Sequence, residues 1–298
     1  MPIVYKYTGP WDVIRQPQFC EEVDYGVPVN NANFQHTGPL VEMAEAIETG
    51  SLEYRQIGTR DINSMIPTGV GYTFDLTYNP INTTLIEYGI NLPNGTGTIE
   101  RSLTFLKSQK VDAVEHFFVY TGCRADSTDI SISSDSAVEV SQSYIAQEAR
   151  TPSLTSGLPG TPVFHTGGVA GTPWTNLTPG PDPLTFNGVV TDTNSFSCSV
   201  TNNLEPIKPN GMMSNKDTPP TLRNVEWEFT TWFKDTLLIA DVKSLTPRPM
   251  EYNLSTTKKL VFVDAYPESI SMSDNTTATE HKTLSVSGRA KSVAVVTY

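Results

Sequence analysis

The side chains in this sequence that could do chemistry are four histidines, three cysteines and 32 carboxylates, and their spacing gathers none of them into a reactive set. A general base must reach a nucleophile, yet His36, His116, His165 and His281 stand far apart, each with the pattern of a surface or internally satisfied side chain. Cys20, Cys123 and Cys198 are odd in number and share no CxxC spacing, which argues against zinc or a disulfide framework and for buried free thiols. Gly69-Val70-Gly71 opens a strand and Gly95-Thr96-Gly97 lies in a loop before one, so neither cradles a phosphate. No G-x-S-x-G, Walker A, HExxH or EF-hand pattern occurs, and nothing singles out a carboxylate pair for acid/base work. No catalytic, cofactor-binding or metal-binding residue is expected. Arg60-Asp61 reads either as a contact to a neighbouring subunit or as an exposed loop ion pair of small value.

Composition narrows the class further. The chain has 298 residues, enough for one large domain or two ordinary ones, with 17% charged and 38% hydrophobic residues. Abundant Thr, Ser, Asn, Gly and Pro around short β-branched runs favour an all-β protein with many turns. The net charge of −12 and the 20 scattered basic residues argue against tight nucleic-acid binding. Such acidity maintains solubility. No stretch approaches membrane-spanning length, and Met1 to Trp11 lacks a signal-peptide pattern, so synthesis in the cytoplasm without secretion is expected.

The elements that would position these residues follow from periodicity. Ile3-Val4-Tyr5 suits a short strand, followed by an irregular Pro-rich lead-in. Leu40, Met43, Ala44 and Ile47 have helical spacing, with a strand leading into the next segment as the alternative. Leu52–Ile57 reads as a short strand. Over Gly71–Tyr78, Tyr72, Phe74, Leu76 and Tyr78 alternate with Thr73, Asp75 and Thr77, the pattern of a strand buried on one side. Asn79-Pro80 reads as a helix start, with the helix running Ile81–Ile90 and Gly89 stopping it. Strands are then expected over Arg101–Lys107, Val114–Tyr120, Asp129–Ser133 and Ala137–Ile145, the last two joined by a turn at Ser134-Asp135-Ser136.

From Thr151 to Val190 periodicity lapses among seven prolines, which predicts a linker or surface arm and gives three regions, 1–150, 151–190 and 191–298. The order of elements then recurs. Ser195–Ile207 reads as a strand and Asn224–Thr231 alternates, with Val225, Trp227 and Phe229 opposite Glu226, Glu228 and Thr230. Trp232–Val242 reads as a helix striped by Phe233, Leu237 and Ala240. Strands follow at Tyr252–Leu254, Leu260–Tyr266, Ser269–Ser273 and Lys282–Ser287. The offset of roughly 145 to 155 residues reads as a diverged tandem duplication at domain scale.

One stretch adds a resemblance. Ile57-Gly58-Thr59-Arg60-Asp61, a loop closing at Ile66-Pro67-x-Gly69, an alternating strand and a short helix together resemble the tail tube proteins of tailed viruses, of siphophage or archaeal type. The resemblance implies a mainly β fold of two tandem tail-tube-type β-sandwich or partial-barrel domains, each with a short α-helix. It implies strands that join between subunits into a tube, with one-domain members forming six-membered rings and a duplicated chain forming trimeric, pseudo-sixfold ones. The implied role is that of major tail tube protein of the virion, a conduit through which viral DNA passes without specific binding. Its partners would be further copies of itself and the tail terminator, tape measure and baseplate or tip proteins. In that setting Thr73, Asp75, Thr77, Glu226, Glu228 and Thr230 are candidates for the lumen, and Arg60 and Asp61 for an inter-subunit loop. The competing readings are an inner tube of a contractile tail or injection device, and a carbohydrate-binding adhesive β-sandwich. The latter predicts exposed aromatic platforms, which Trp174 could supply but the core-facing Trp227 does not.

Overall fold

Runs of alternating polar and apolar residues dominate the chain, and in the computed structural model the described residues form fifteen strands of one antiparallel sheet with two short helices. The structure describes residues 15–27, 34–54, 64–90, 101–111, 114–134, 136–150, 158, 183–209, 212–232, 237–244, 246–273 and 282–297. The first half holds β1 (Arg15–Glu21), β2 (Gln35–His36), β3 (Leu40–Tyr54), β4 (Ser64–Tyr78), α1 (Thr84–Ile90), β5 (Leu103–Val111), β6 (Val114–Ser133), β7 (Glu139–Ala146) and β8 (Glu148–Ala149). The second holds β9 (Leu184–Phe186), β10 (Val189–Thr191), β11 (Thr193–Thr201), β12 (Asn224–Trp232), α2 (Leu237–Ser244), β13 (Arg248–Asn253), β14 (Lys258–Ser273) and β15 (Thr283–Thr297).

Several expectations are corrected. Leu40–Ile47 is part of the 15-residue strand β3, because pairing along β4 outweighs the chance helical spacing of its apolar residues. The Pro67-x-Gly69 segment lies inside β4, with Gly69 opposite Gly50 and a register shift beside it. Helix α1 starts three residues later than Ile81: Asn82 Oδ1 accepts the Thr84 N–H at 3.0 Å, and the Thr83 carbonyl takes the first helical bond from Glu87. Gly89 lies within that helix. A Cβ there would sit 2.0 Å from Thr128 Oγ1 and 2.5 Å from Gln142 Nε2, so the glycine serves close packing on the sheet. Trp232 ends a strand rather than opening a helix, α2 begins at Leu237, and Ala240 is exposed. The stretch read as a linker closes with the hairpin β9–β10, whose Leu184 and Phe186 are buried. Ile3–Tyr5, Ile57–Asp61 and Trp174 lie outside the described residues.

Four segments read as separate strands are two long ones. β6 spans Val114–Tyr120 and Asp129–Ser133, and β14 spans Leu260–Tyr266 and Ser269–Ser273. Each passes through a residue with positive φ, Gly122 (63°) and Asp264 (50°), and then a bulge, so it changes neighbours midway. The first part of β6 pairs with β5 and β8, and the second with β7 and β11. The first part of β14 pairs with β13 as well as β15.

The pairing scheme of the first half recurs in the second, register included. β3–β4 begins Leu40↔Tyr78, shifts, and continues Glu42↔Thr77; β11–β12 begins Thr193↔Thr231, shifts, and continues Ser195↔Thr230. β4–β7 sets Thr77 against Ser141, and β12–β15 sets Thr230 against Ser285. The β6–β7 shift between Ala125 and Ser127 matches the β14–β15 shift between Pro267 and Ser269. Packing compensates between equivalent places. Phe74 stacks on Tyr144, 5.1 Å between centroids, whereas the larger Trp227 lies opposite Gly288, where a Cβ would come within 2.6 Å of its ring.

One continuous cluster of buried apolar residues runs through both halves, from Phe19, Phe74 and Leu85 to Trp227, Phe262 and Val286. Two buried polar groups organise its rim. Gln142 accepts from the Tyr78 and Tyr144 hydroxyls (3.1 and 2.9 Å) and donates to Leu85 O and Thr128 Oγ1 (both 3.1 Å), using its full capacity. The Glu22 carboxylate accepts from Ser102 Oγ, Thr104 Oγ1, Gly26 N and Gly122 N at 2.6–2.9 Å, fixing the bend of β6.

Candidate assembly surface

Eight strands follow one another in the order β3-β4-β7-β6-β11-β12-β15-β14, and the side chains pointing away from the core make one polar face. Strict alternation puts them there. In β12 the odd-numbered Val225, Trp227 and Phe229 are buried, while Glu226 and Glu228 are exposed and Thr230 is half-buried. In β4, Asp75 is exposed and Thr73 and Thr77 are half-buried, opposite the buried Phe74, Leu76 and Tyr78. The six candidate residues therefore share one face, in two groups separated by β7, β6 and β11. Arg60 and Asp61 lie outside the described residues.

Sequence reasoning missed the rest of this face. Between the two groups lie Ser141, Ser143, Asp129, Ser131, Ser197 and Ser199, cross-paired as Asp129↔Ser141 and Ser199↔Asp129. The signal was present in the recurrent Ser-x-Ser spacing at 197/199, 285/287 and 269/271. Arg289 lies 3.5 Å from Glu226 and 3.7 Å from Glu268; these exposed pairs contribute little stability but leave Glu228, Asp129 and Asp75 to set an acidic surface.

The three thiols and the cations Lys107 and Arg124 are buried. All three cysteines are free and buried; burial raises the Cys123 thiol well above its usual range and pushes Cys198 up to about 12, which keeps them protonated. Lys107 is held by Glu45 at 2.9 Å, and Glu45 also accepts from Tyr120 at 2.7 Å. Arg124 pairs with Asp217 at 2.7 Å and lies over the Tyr25 ring, fastening the second half's segment around Asp217 to β6. Among the described residues no group of three His, Cys, Asp or Glu is placed to hold a metal ion, and no helix is long and apolar enough to cross a membrane.

Among the described residues nothing pairs with the two ends of the eight-strand run. Among the described residues β3 pairs only with β4, and 266–273 of β14 only with β15. Apolar side chains are exposed at both ends, Ile47 at 67% and Met272 at 43%. Exposed edges of this kind invite another chain unless they are covered.

The model of a known family, phage tail tube protein, matches residues 18–290. The chain belongs to the phage tail tube family. No curated protein matches it in sequence. Membership places this tail tube protein in the virion tail as a structural component, with other copies of itself and adjoining tail components as its partners. The mainly β fold agrees with that role.

Proposed function

We propose that this tail tube protein is the major tube subunit, that its two halves are tandem tube domains, and that three copies close into a pseudo-sixfold ring whose stacked copies form the conduit for viral DNA. The observation that carries this reading is the β6–β11 pairing. It joins the halves edge to edge inside one chain, while among the described residues the corresponding outer edges, β3 and the end of β14, stay open. A sheet with complementary open edges closes most simply as a ring.

Strand number limits the ring size. Eight strands per copy give about 24 in a ring of three, and at ~4.8 Å spacing and ~40° tilt the wall closes at a diameter of about 48 Å. Side chains reaching ~5 Å inward from each side leave about 38 Å, roomy for a hydrated duplex. A ring of two would close at about 32 Å and leave only ~22 Å. The polar face, with Thr73, Asp75, Thr77, Glu226, Glu228 and Thr230, lines the lumen in this reading. Its acidity repels phosphates, so DNA slides without specific binding. The long β3–β4 pair bridges stacked rings.

Negative-stain microscopy at high protein concentration, with and without purified tail tips as initiators, tests the proposal. Stacked hollow rings with three repeating units support it. A chain that remains monomeric with initiators present, or forms rings of another count, overturns it.

A further inference from the structure

The β6–β11 joint also specifies how one copy meets the next, an inference that rests on the ring reading above. Matched registers and matched bulges make β3 the counterpart of β11, with Ala44 answering to Ser197, Ala46 to Ser199 and Ile47 to Val200. They make the end of β14 the counterpart of the end of β6, with Ser269 answering to Ser127, Ile270 to Thr128 and Ser271 to Asp129. Within the chain Ser199 pairs with Asp129 and Val200 with Thr128. We infer that between copies 269–273 of β14 pairs antiparallel with 44–48 of β3, with Ala46 opposite Ser271, Ile47 opposite Ile270 and Glu48 opposite Ser269.

Side-chain chemistry, which played no part in that alignment, fits it. On the core side Ile47 meets Ile270, two apolar residues. Their counterparts Val200 and Thr128 are both fully buried, whereas Ile47 is 67% exposed in the free chain. Glu45 comes opposite Met272, and its carboxylate is already engaged by Lys107 and Tyr120. On the other side Ala44, Ala46 and Glu48 meet Ser273, Ser271 and Ser269, continuing the small, polar lining. A slip of one residue would turn one strand's apolar residues onto the polar face. A slip of two in one direction would bring Glu268 opposite Ile47.

Cysteine pairs test the register, since paired strand positions lie within disulfide reach and positions displaced by two do not. The native cysteines are buried and stay in place. Chains carrying Ala46→Cys are mixed with chains carrying Ser269→Cys, Ser271→Cys or Ser273→Cys, assembled, oxidised and run on a denaturing gel. At least tenfold more covalent dimer with Ser271→Cys than with either neighbour supports the inference. Tubes that cross-link best through Ser269→Cys or Ser273→Cys, or through none, overturn the register and leave the ring standing. Absence of tubes in the unaltered protein overturns both. Ile47→Asp gives a second readout: its urea midpoint should stay that of the parent chain while tube yield falls below one-tenth, and wild-type yield would sink the inference.

Discussion

The hydroxyls of Thr77 and Ser141 lie 2.8 Å apart across β4 and β7, and the same contact recurs between Thr230 and Ser285 at 3.0 Å across β12 and β15. Both pairs occupy the polar face at equivalent places of the two halves. A hydroxyl pair of this kind contributes roughly 0.2–1 kcal/mol. Thr77→Ala and Thr230→Ala are therefore each expected to lower the stability in urea by less than about 1 kcal/mol, and the double variant to show their sum. A much larger loss at one site would show that the halves use this contact differently.

Gln142 is expected to matter far more. Gln142→Leu leaves the Tyr78 and Tyr144 hydroxyls without their buried acceptor and frees the Leu85 carbonyl, at about 1–3 kcal/mol for each unsatisfied group. Denaturant unfolding should show a total loss of about 3 kcal/mol or more. Adding Tyr78→Phe and Tyr144→Phe to Gln142→Leu should restore part of that loss, because neither tyrosine hydroxyl is then left without its acceptor. Failure of the triple variant to recover would show that disturbed packing, and not the stranded hydroxyls, causes most of the damage.

Among the described residues Glu22 meets four donors and no cation. Glu22→Gln keeps the shape but aims an amide N–H₂ at groups that themselves donate. A loss of about 2–4 kcal/mol is expected from the unmatched contacts. Hydrogen exchange should localise the damage to the Gly122 bend and the 102–104 segment. Uniform exchange across the sheet would contradict this local role.

Alkaline pH should destabilise the fold through its buried thiols. The folded state holds Cys198 protonated up to about 12, above the ordinary thiol value of 9.0. The folded value is the higher one, so this stability is fully present below pH 9 and is lost as pH climbs toward 12, with a slope of at most ~1.4 kcal/mol per unit. Cys198→Ala starts less stable, from its lost packing, and its deficit against the parent chain should narrow above pH 9 in urea titrations at stepped pH. A deficit constant to pH 11 would refute the assignment.

Much of this was legible in the sequence where period two was unbroken: the 71–78 and 224–231 strands, their buried faces, and the recurrence of element order all follow from it. β3 was ambiguous because Leu40, Met43, Ala44 and Ile47 satisfy helical spacing by accident. β6 and β14 read as broken because Gly122 and Pro267 are ordinary breakers, yet pairing on the far side carries both strands through. Gln142 was visible only as a polar residue on an otherwise apolar strand face. The Glu22 site draws its donors from positions 26, 102, 104 and 122, a convergence that no local pattern announces.

The β6–β11 pairing changes the kinetics of ring closure. Half of the seams in the proposed ring form within a single chain, at an effective concentration on the order of millimolar or higher whatever the amount of protein in the cell. Ring closure then requires three bodies to meet instead of six, so its dependence on subunit concentration is much shallower, and growing tails could be supplied from a dilute pool. Fusing the halves also frees each seam to evolve separately, since a change at Ile47 or Ile270 alters only the joints between copies.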